Sequence, residues 1–167
     1  MKKILSLIII IISLAACQNN YYKMYGNSMA PTINEGDILN VSTQQNPQRF
    51  DIVVFANSTD TPEYNVKRII GLPGEKVEII DGDILINGEI ITEPYLREEI
   101  QGKTIPKYQN EFEVPPMSYF VLGDNRTNTS DSRNCFASNP DELRACEKNE
   151  LSYYIEGENI VGVVTNH

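Results

Sequence analysis

Short apolar runs separated by glycine, proline, asparagine and aspartate recur along the chain and predict β-strands. The segments DILNVS (37–42), DIVVF (51–55) and YNVKRII (64–70) are short, rich in β-branched residues and bounded by turn-forming residues. SYFVL (118–122) and IVGVV (160–164) have the same character. No long helical period follows the N-terminal segment. The pattern therefore predicts a mainly β fold with an antiparallel sheet.

A meander of three short strands is predicted over residues 76–92. The segments KVEII, DILI and EIIT are separated by Asp-Gly and Asn-Gly, dipeptides that suit tight hairpin turns. The stretch 93–116 contains four prolines and many charges, so we interpret it as an exposed excursion from the sheet. Residues 137–151 fit at most one short helix.

The N-terminus has the architecture of an export signal. Two lysines precede an apolar run, Ile4 to Ala16, that lacks a polar face. A helix of this length spans about 20 Å, less than the roughly 30 Å of bilayer hydrocarbon, which disfavours a transmembrane helix. The sequence from Leu14 to Cys17 resembles the lipobox of bacterial lipoproteins, so we predict lipidation of Cys17. Cleavage after Ala15 and an uncleaved anchor are the alternatives, and all three place the rest of the chain outside the cytoplasm.

Length and charge narrow the classes of function. The chain has 167 residues, a formal net charge of −9 and a sequence pI near 4.6. Phosphate-binding surfaces need clustered lysine and arginine, so nucleic acid is not an expected partner. We predict a signal or anchor segment at 1–17 and a single β domain at 18–167, with a small insertion at about 76–116.

Histidine and cysteine content narrow the chemistry further. The single histidine is His167 at the chain end, which argues against a Ser-His-Asp triad and a multi-histidine zinc site. We predict neither a metal nor a cofactor. Cys135 and Cys146 are expected to form a disulfide in an exported protein, worth about 3 kcal/mol, with two free thiols as the alternative.

Ser28, in GNSMAPTINEGD (26–37), is a candidate nucleophile. Gly26 allows close backbone approach and Pro31 fixes a turn, so Ser28 lies in a sharply bent, rigid segment. An ordinary loop hydroxyl is the alternative. Without a usable histidine the base must be a carboxylate or a lysine, and Lys67 is the best lysine.

Lys67 can act as a base only if its surroundings lower its pKa. At the unperturbed pKa of about 10.4, roughly one lysine in 2,500 is neutral at pH 7. Burial disfavours the charged form and would raise that fraction. The alternation of polar and apolar residues along 64–70 does not show which face of the strand is exposed to solvent. A lysine on an edge strand, where it blocks aggregation, is the alternative.

The stretch GDNRTNTSDSR (123–133) follows a predicted strand. It contains two aspartates, two arginines and four hydroxyl side chains. It is either a solvated loop or a segment whose ion pair and hydroxyls hold an active site together.

Three stretches in this order, behind an export signal, resemble the type I signal peptidases, membrane-bound serine proteases that remove signal peptides from exported proteins. NSMAPTI with GDIL is similar to their nucleophile box, YNVKRIIGLPGEKV to the general-base box, and GDNRTNTSDSR to the third box. IVGVV resembles the closing strand. The resemblance covers about residues 25–80 and 118–164. It implies a twisted antiparallel sheet or partly open barrel with a small β insertion.

The resemblance also implies a mechanism. Ser28 attacks the scissile carbonyl, and neutral Lys67 takes its proton and later passes it to the leaving amine. Many members carry a serine that helps bind the oxyanion where this chain has Gly26, so backbone N–H groups are expected to bind it here. The resemblance implies further residues that support the site. The hydroxyl of Thr129 would orient the lysine, and Asp131 and Arg133 would form an ion pair. The loop would be shaped by Asp124, Asn125 and Arg126.

Substrates implied by the resemblance are preprotein signal peptides with small residues, typically alanine, at positions −1 and −3. Shallow apolar pockets near the dyad would select them, and we assign Met29 to this pocket. We expect a monomer in contact with membrane lipid on the periplasmic side of the bacterial envelope. A specialised Ser/Lys peptidase that matures pilins or conjugation proteins is the enzymatic alternative. A non-catalytic, partner-binding lipoprotein is the alternative of another class.

Overall fold

The computed structural model describes residues 19–43, 46–56, 63–137, 139, 141–142, 144 and 149–166. These residues form eleven strands in two antiparallel sheets, joined by turns and short 3-10 helices. The prediction of a mainly β fold is therefore confirmed.

The larger sheet has seven strands. In spatial order they are β1 (Asn19–Lys23), β2 (Ile38–Ser42), β11 (Ile160–Val164), β3 (Ile52–Ala56), β4 (Tyr64–Gly71), β9 (Ser118–Leu122) and β10 (Ile155–Glu156). All six pairings in this order are antiparallel. The five strands predicted outside the meander are all present, whereas β1 and β10 were not predicted.

The central strands of this sheet are buried on both faces. In β3, Ile52 and Val54 pack into one apolar cluster, whereas Val53 and Phe55 pack into another. Successive side chains of a strand point to opposite faces, so two layers of apolar residues enclose the sheet. Strands of this kind are apolar on both faces, which explains why alternation along β4 identified no solvent-facing side.

The smaller sheet contains the predicted meander. Its order is β7 (Glu89–Ile90), β6 (Asp83–Ile86), β5 (Lys76–Ile80) and β8 (Glu111–Glu113). Asp81 and Asn87 both have a φ of 52° and are followed by glycines that also have positive φ. This conformation suits the predicted Asp-Gly and Asn-Gly hairpin turns. The rings of Phe112 and Phe120 lie 4.6 Å apart and join the two sheets in one apolar cluster.

The prediction that residues 93–116 form an exposed excursion is confirmed for most residues of the segment but misses its buried side chains. Leu96, Thr104 and Phe112 are buried, and β8 pairs with β5. The composition of the segment is dominated by charged residues and prolines. Several of its apolar side chains face inward, whereas Ile105 and Tyr108 are exposed, so burial is decided position by position rather than by average composition.

The N-terminal predictions lie outside the described residues. This applies to the segment 1–17 and to the predicted lipidation of Cys17, so the domain division at residue 18 stays a prediction. Within the described part of the chain, no helix is long and apolar enough to cross a membrane.

The region around the predicted disulfide is described in part. Cys135 is disulfide-bonded, but Cys146 lies outside the described residues, so their pairing stays a prediction. In the region 137–151, where at most one short helix was predicted, residues 141, 142 and 144 have helical backbone. The described end of that region is a 3-10 turn, Glu150–Tyr153.

Candidate active site

Ser28 and Lys67 are in direct contact although 39 positions separate them in the chain. Ser28 lies in the turn between β1 and β2, and Lys67 lies in the middle of β4. Lys67 Nζ is 3.1 Å from Ser28 Oγ and also donates a hydrogen bond of 3.0 Å to the carbonyl oxygen of Val66. The second bond holds the amine in place, so that it faces the hydroxyl.

Burial prepares Lys67 to act as a base. The side chain is only 3% exposed, and this desolvation lowers its pKa to about 8, partly opposed by the negative charge of Asp131. With that pKa about one lysine in ten is neutral at pH 7, against roughly one in 2,500 at the unperturbed value. The burial of β4 on both faces therefore lowers the pKa of Lys67, which is what a lysine needs to act as a base.

The nucleophile turn is held by backbone hydrogen bonds and by its own apolar residues. The N–H of Met24 donates to the carbonyl of Asp37, which closes the base of the turn. Gly26 has a φ of 75°, a conformation that favours glycine. Met29 and Ile33 are buried in the apolar cluster beneath. Met29 is 0% exposed and offers no surface to a substrate, contrary to its predicted place in the pocket.

The segment after β9 packs directly on the nucleophile turn. Asn125 donates from its backbone N–H to the carbonyl oxygen of Ser28 and from its side-chain amide to that of Asn27, both at 3.0 Å. A Cβ on Gly123 would lie 2.5 Å from the Ser28 carbonyl oxygen. Glycine is therefore required at 123 for this approach.

The predicted ion pair between Asp131 and Arg133 is present and buried. Arg133 donates from Nη2 and Nε to the two carboxylate oxygens at 2.9 and 3.0 Å. It also donates to the carbonyl oxygens of Arg126 and Ile105, which ties the segment to the chain that precedes β8. This geometry is the strong, bidentate form of an arginine–carboxylate pair.

Sequence reasoning missed a second buried ion pair, between Arg68 and Asp124. Arg68 donates to both carboxylate oxygens of Asp124, at 2.9 and 2.6 Å, and its guanidinium lies 3.8 Å from the ring centroid of Tyr95. Thr32, in the nucleophile turn, donates to the same carboxylate. The sequence alone contained no signal for this pair, because a charged residue requires a partner of opposite charge only once its strand is buried on both faces, and that burial is decided by the tertiary structure.

Arg126 forms a third buried pair, with Glu93. It donates to both Glu93 oxygens, to the hydroxyl of Thr104 and to the carbonyl of Gly123. Glu93 also accepts a hydrogen bond from Tyr95, and burial together with that carboxylate raises the Tyr95 pKa. Glu93 and Thr104, two buried residues of the segment predicted to be an exposed excursion, thus hold the segment that supports Ser28.

Thr129 lies beside the site but does not take the predicted role. Its hydroxyl donates to the Ser130 carbonyl at 3.4 Å, and the described contacts include no hydrogen bond from it to Lys67. Its own carbonyl accepts a hydrogen bond of 2.9 Å from Lys107 Nζ. Lys107, which sequence reasoning did not single out, therefore reaches the site from the segment before β8.

Two depressions meet at Ser28 and Lys67. The first has a volume of about 90 Å³. We call it the apolar cleft because its walls, besides the dyad, Lys23 and Asn65, are the apolar and aromatic residues Tyr22, Met24, Tyr25, Val54, Tyr64 and Val66. The second is about 690 Å³ and is called the polar groove; its walls include Asn27, Lys107, Thr127, Asn128, Ser130 and Asn134. An extended peptide that passes over Ser28 would occupy both.

The comparisons agree with the resemblance seen in the sequence. The family description "Signal peptidase, peptidase S26" matches residues 1–165. Signal peptidase I T of Bacillus subtilis is 40% identical over 122 residues, which are 68% of this chain and 63% of that protein. A signal peptidase I of Bacillus amyloliquefaciens is 39% identical over 140 residues, 76% of this chain and 72% of that protein. The chain thus spans just under two thirds of the first relative and somewhat more of the second.

A solved structure shows the same relationship in three dimensions. The crystal structure of a signal peptidase I from Enterococcus faecalis has a TM-score of 0.51 and 32% sequence identity, covering 72% of this chain and 98% of the other. Together with the family match over nearly the whole length, this confirms the resemblance. The chain therefore belongs to the signal peptidase family, peptidase S26, whose members are serine endopeptidases that process the signal peptides of exported proteins.

Proposed function

We propose that this chain removes signal peptides from exported preproteins, with Ser28 as nucleophile and Lys67 as general base. The observation that carries the proposal is the 3.1 Å contact between Ser28 Oγ and the buried Lys67 Nζ. A serine hydroxyl is a weak nucleophile until an adjacent base takes its proton. A lysine with a pKa of about 8 is such a base near neutral pH.

The reaction divides into two proton-transfer cycles. In acylation, the hydroxyl proton of Ser28 moves to neutral Lys67 as Oγ attacks the scissile carbonyl, and the ammonium then protonates the leaving amine. In deacylation, Lys67 takes a proton from water, which attacks the ester and restores Ser28. The hydrogen bond to the Val66 carbonyl keeps Nζ in place through both cycles.

The negative charge on the carbonyl oxygen needs hydrogen-bond donors. Gly26 supplies no side-chain donor, and the Ser28 N–H has no acceptor among the described residues. This N–H is therefore our first candidate for the oxyanion hole. Loss of one such donor typically costs about 10² to 10³ in kcat, so its position is critical.

The apolar cleft fits the expected selection of small residues at −1 and −3. Alternate side chains of an extended peptide point to the same side, so one cleft can receive both positions. The cleft is small, and the rings of Tyr22 and Tyr64 meet edge to face at 5.2 Å in its wall. Large side chains would have to displace these rings, so Ala-x-Ala is the proposed cleavage sequence.

The proposal includes the place at which the protein acts relative to the membrane. The family acts at the membrane on exported proteins. A lipid on Cys17 would lie eleven positions before Ser28 in the chain, a stretch that reaches at most about 38 Å. Tyr21, Tyr25 and Ile38 are exposed in this part of the molecule, and such side chains suit a lipid interface. We propose that the chain acts, as a monomer, at the extracytoplasmic membrane surface.

The test is cleavage of a purified preprotein that carries an Ala-x-Ala site. We expect Ser28→Ala and Lys67→Ala each to abolish turnover while thermal unfolding remains cooperative. Thr43→Ala and Lys103→Ala, which remove a hydroxyl and an amine at exposed positions outside the site, are the matched controls and should retain activity. Undiminished cleavage by Ser28→Ala would exclude the mechanism, and binding without cleavage by the wild type would favour the non-catalytic alternative.

A further inference from the structure

The polar groove is a positively charged site on an acidic protein. The chain has a formal net charge of −9. No aspartate or glutamate is among the described residues that line the groove, whereas Lys67 and Lys107 both line it. A cleft lined by one sign of charge concentrates its field and attracts ligands of the opposite sign.

Lys107 forms no ion pair with the described residues. Its Nζ donates one hydrogen bond, to the Thr129 carbonyl, and an ammonium group has three donors. The carboxylate that acts on the pKa of both lysines is Asp131, which is fully buried and already bound by Arg133. Lys107 therefore has donors and charge left for a ligand in the groove.

We propose that Lys107 is a specificity-determining residue, which favours preproteins with an acidic side chain among the first three residues after the scissile bond. This inference rests on the proposed function. If the residues at −1 and −3 occupy the apolar cleft, the chain beyond the scissile bond continues past Ser28 into the polar groove. Its first side chains then pass Lys107.

The effect is expected to be moderate and sensitive to salt. Ion pairs at exposed positions contribute little, so we expect a preference of about twofold to fivefold for an acidic over a basic residue. The screening length is about 8 Å at physiological ionic strength and about 3 Å at 1 M, so the preference should shrink in high salt. Protonation of Lys67 during acylation adds a second positive charge, so the preference should appear partly in kcat.

The experiment uses the full-length protein and substrates that differ at one position. Preproteins with one Ala-x-Ala site carry Glu, Gln or Lys at the first, second or third residue after the scissile bond. We expect kcat/KM to favour Glu over Lys at one or more positions in the wild type. The preference should vanish in Lys107→Gln, reverse in Lys107→Glu and persist in Lys107→Arg. Lys103→Gln, in the same segment but outside the groove, is the matched control and should keep the wild-type ratio.

The outcomes separate this inference from the proposed function. Failure of the wild type to cleave any of these substrates would overturn both. Cleavage of all of them with no preference, or a preference that Lys107→Gln retains, would overturn the role of Lys107 alone. A structural role of Lys107 in holding Thr129 would lower all rates equally and leave the ratio unchanged, which also counts against the proposal.

Discussion

Gly123→Ala should misplace the nucleophile without touching the substrate. An alanine Cβ would lie 2.5 Å from the Ser28 carbonyl oxygen and 2.3 Å from the Thr129 hydroxyl. Non-bonded heavy atoms prefer about 3.5 Å or more, so the Ser28 backbone must move by about 1 Å. A misplacement of that size costs about 100-fold in rate. We therefore expect kcat to fall about 100-fold with little change in KM, and stability to fall by about 1–3 kcal/mol through overpacking.

The assay is preprotein cleavage at saturating substrate, well below the melting temperature of every variant. Gly74→Ala is the control, because Gly74 has a φ of 82° and nothing within 4 Å of the added Cβ. That change strains the backbone and lowers stability by about 1 kcal/mol, but it does not press on Ser28. A wild-type kcat in Gly123→Ala, or an equal loss of kcat in Gly74→Ala, would refute the reasoning.

Two further predictions concern buried charges. The cleavage rate should rise with pH through about 8 as Lys67 loses its proton, and a limb near 6.5 would contradict a lysine base. The pKa of Lys67 in the folded protein lies below the roughly 10.4 of a lysine in the unfolded chain. Between pH 8 and about 10.4 the unfolded state therefore binds more protons than the folded state. The unfolding free energy should rise by about 3 kcal/mol across this pH range because of Lys67. Arg68→Met leaves Asp124 buried without its partner and should cost about 3–5 kcal/mol in urea denaturation. The double variant with Asp124→Leu should recover most of this loss, and an unchanged midpoint in the single variant would contradict the buried pair.

Local sequence signals predicted the strands and hairpins that depend on neighbouring residues. The Asp-Gly and Asn-Gly turns have the positive φ values that their residue types favour, and the meander lies where the alternating runs indicated. β1, β8 and β10 were missed. β10 has only two residues and β8 three, which is too short to show a period. β10 is defined by its pairing with β9, and β8 by its pairing with β5.

The residues that hold the site in place were harder to predict from the sequence than Ser28 and Lys67. Ser28 and Lys67 were identified because the chain lacks a usable histidine and because their segments match known boxes. Glu93 was missed, since its partner Arg126 is distant in the chain and its own segment looked exposed. The assignments of Met29 to the substrate pocket and of Thr129 to the lysine contact failed, because side-chain direction in a loop depends on what packs beneath it.

The sequence by itself determined the strand-rich class, the hairpin turns and the identity of the two residues that meet. The first two follow from residue type and local spacing, which act over a few residues of chain, whereas the pair follows from the lack of a usable histidine and from the resemblance of the two segments to known boxes. Only the tertiary structure decided that β4 is covered on both faces, that Lys67 is thereby desolvated, and that Lys107 enters the groove. Burial and electric field are sums over residues distant in the chain, so the pKa of Lys67 and the charge of the groove exist only once the two sheets are packed.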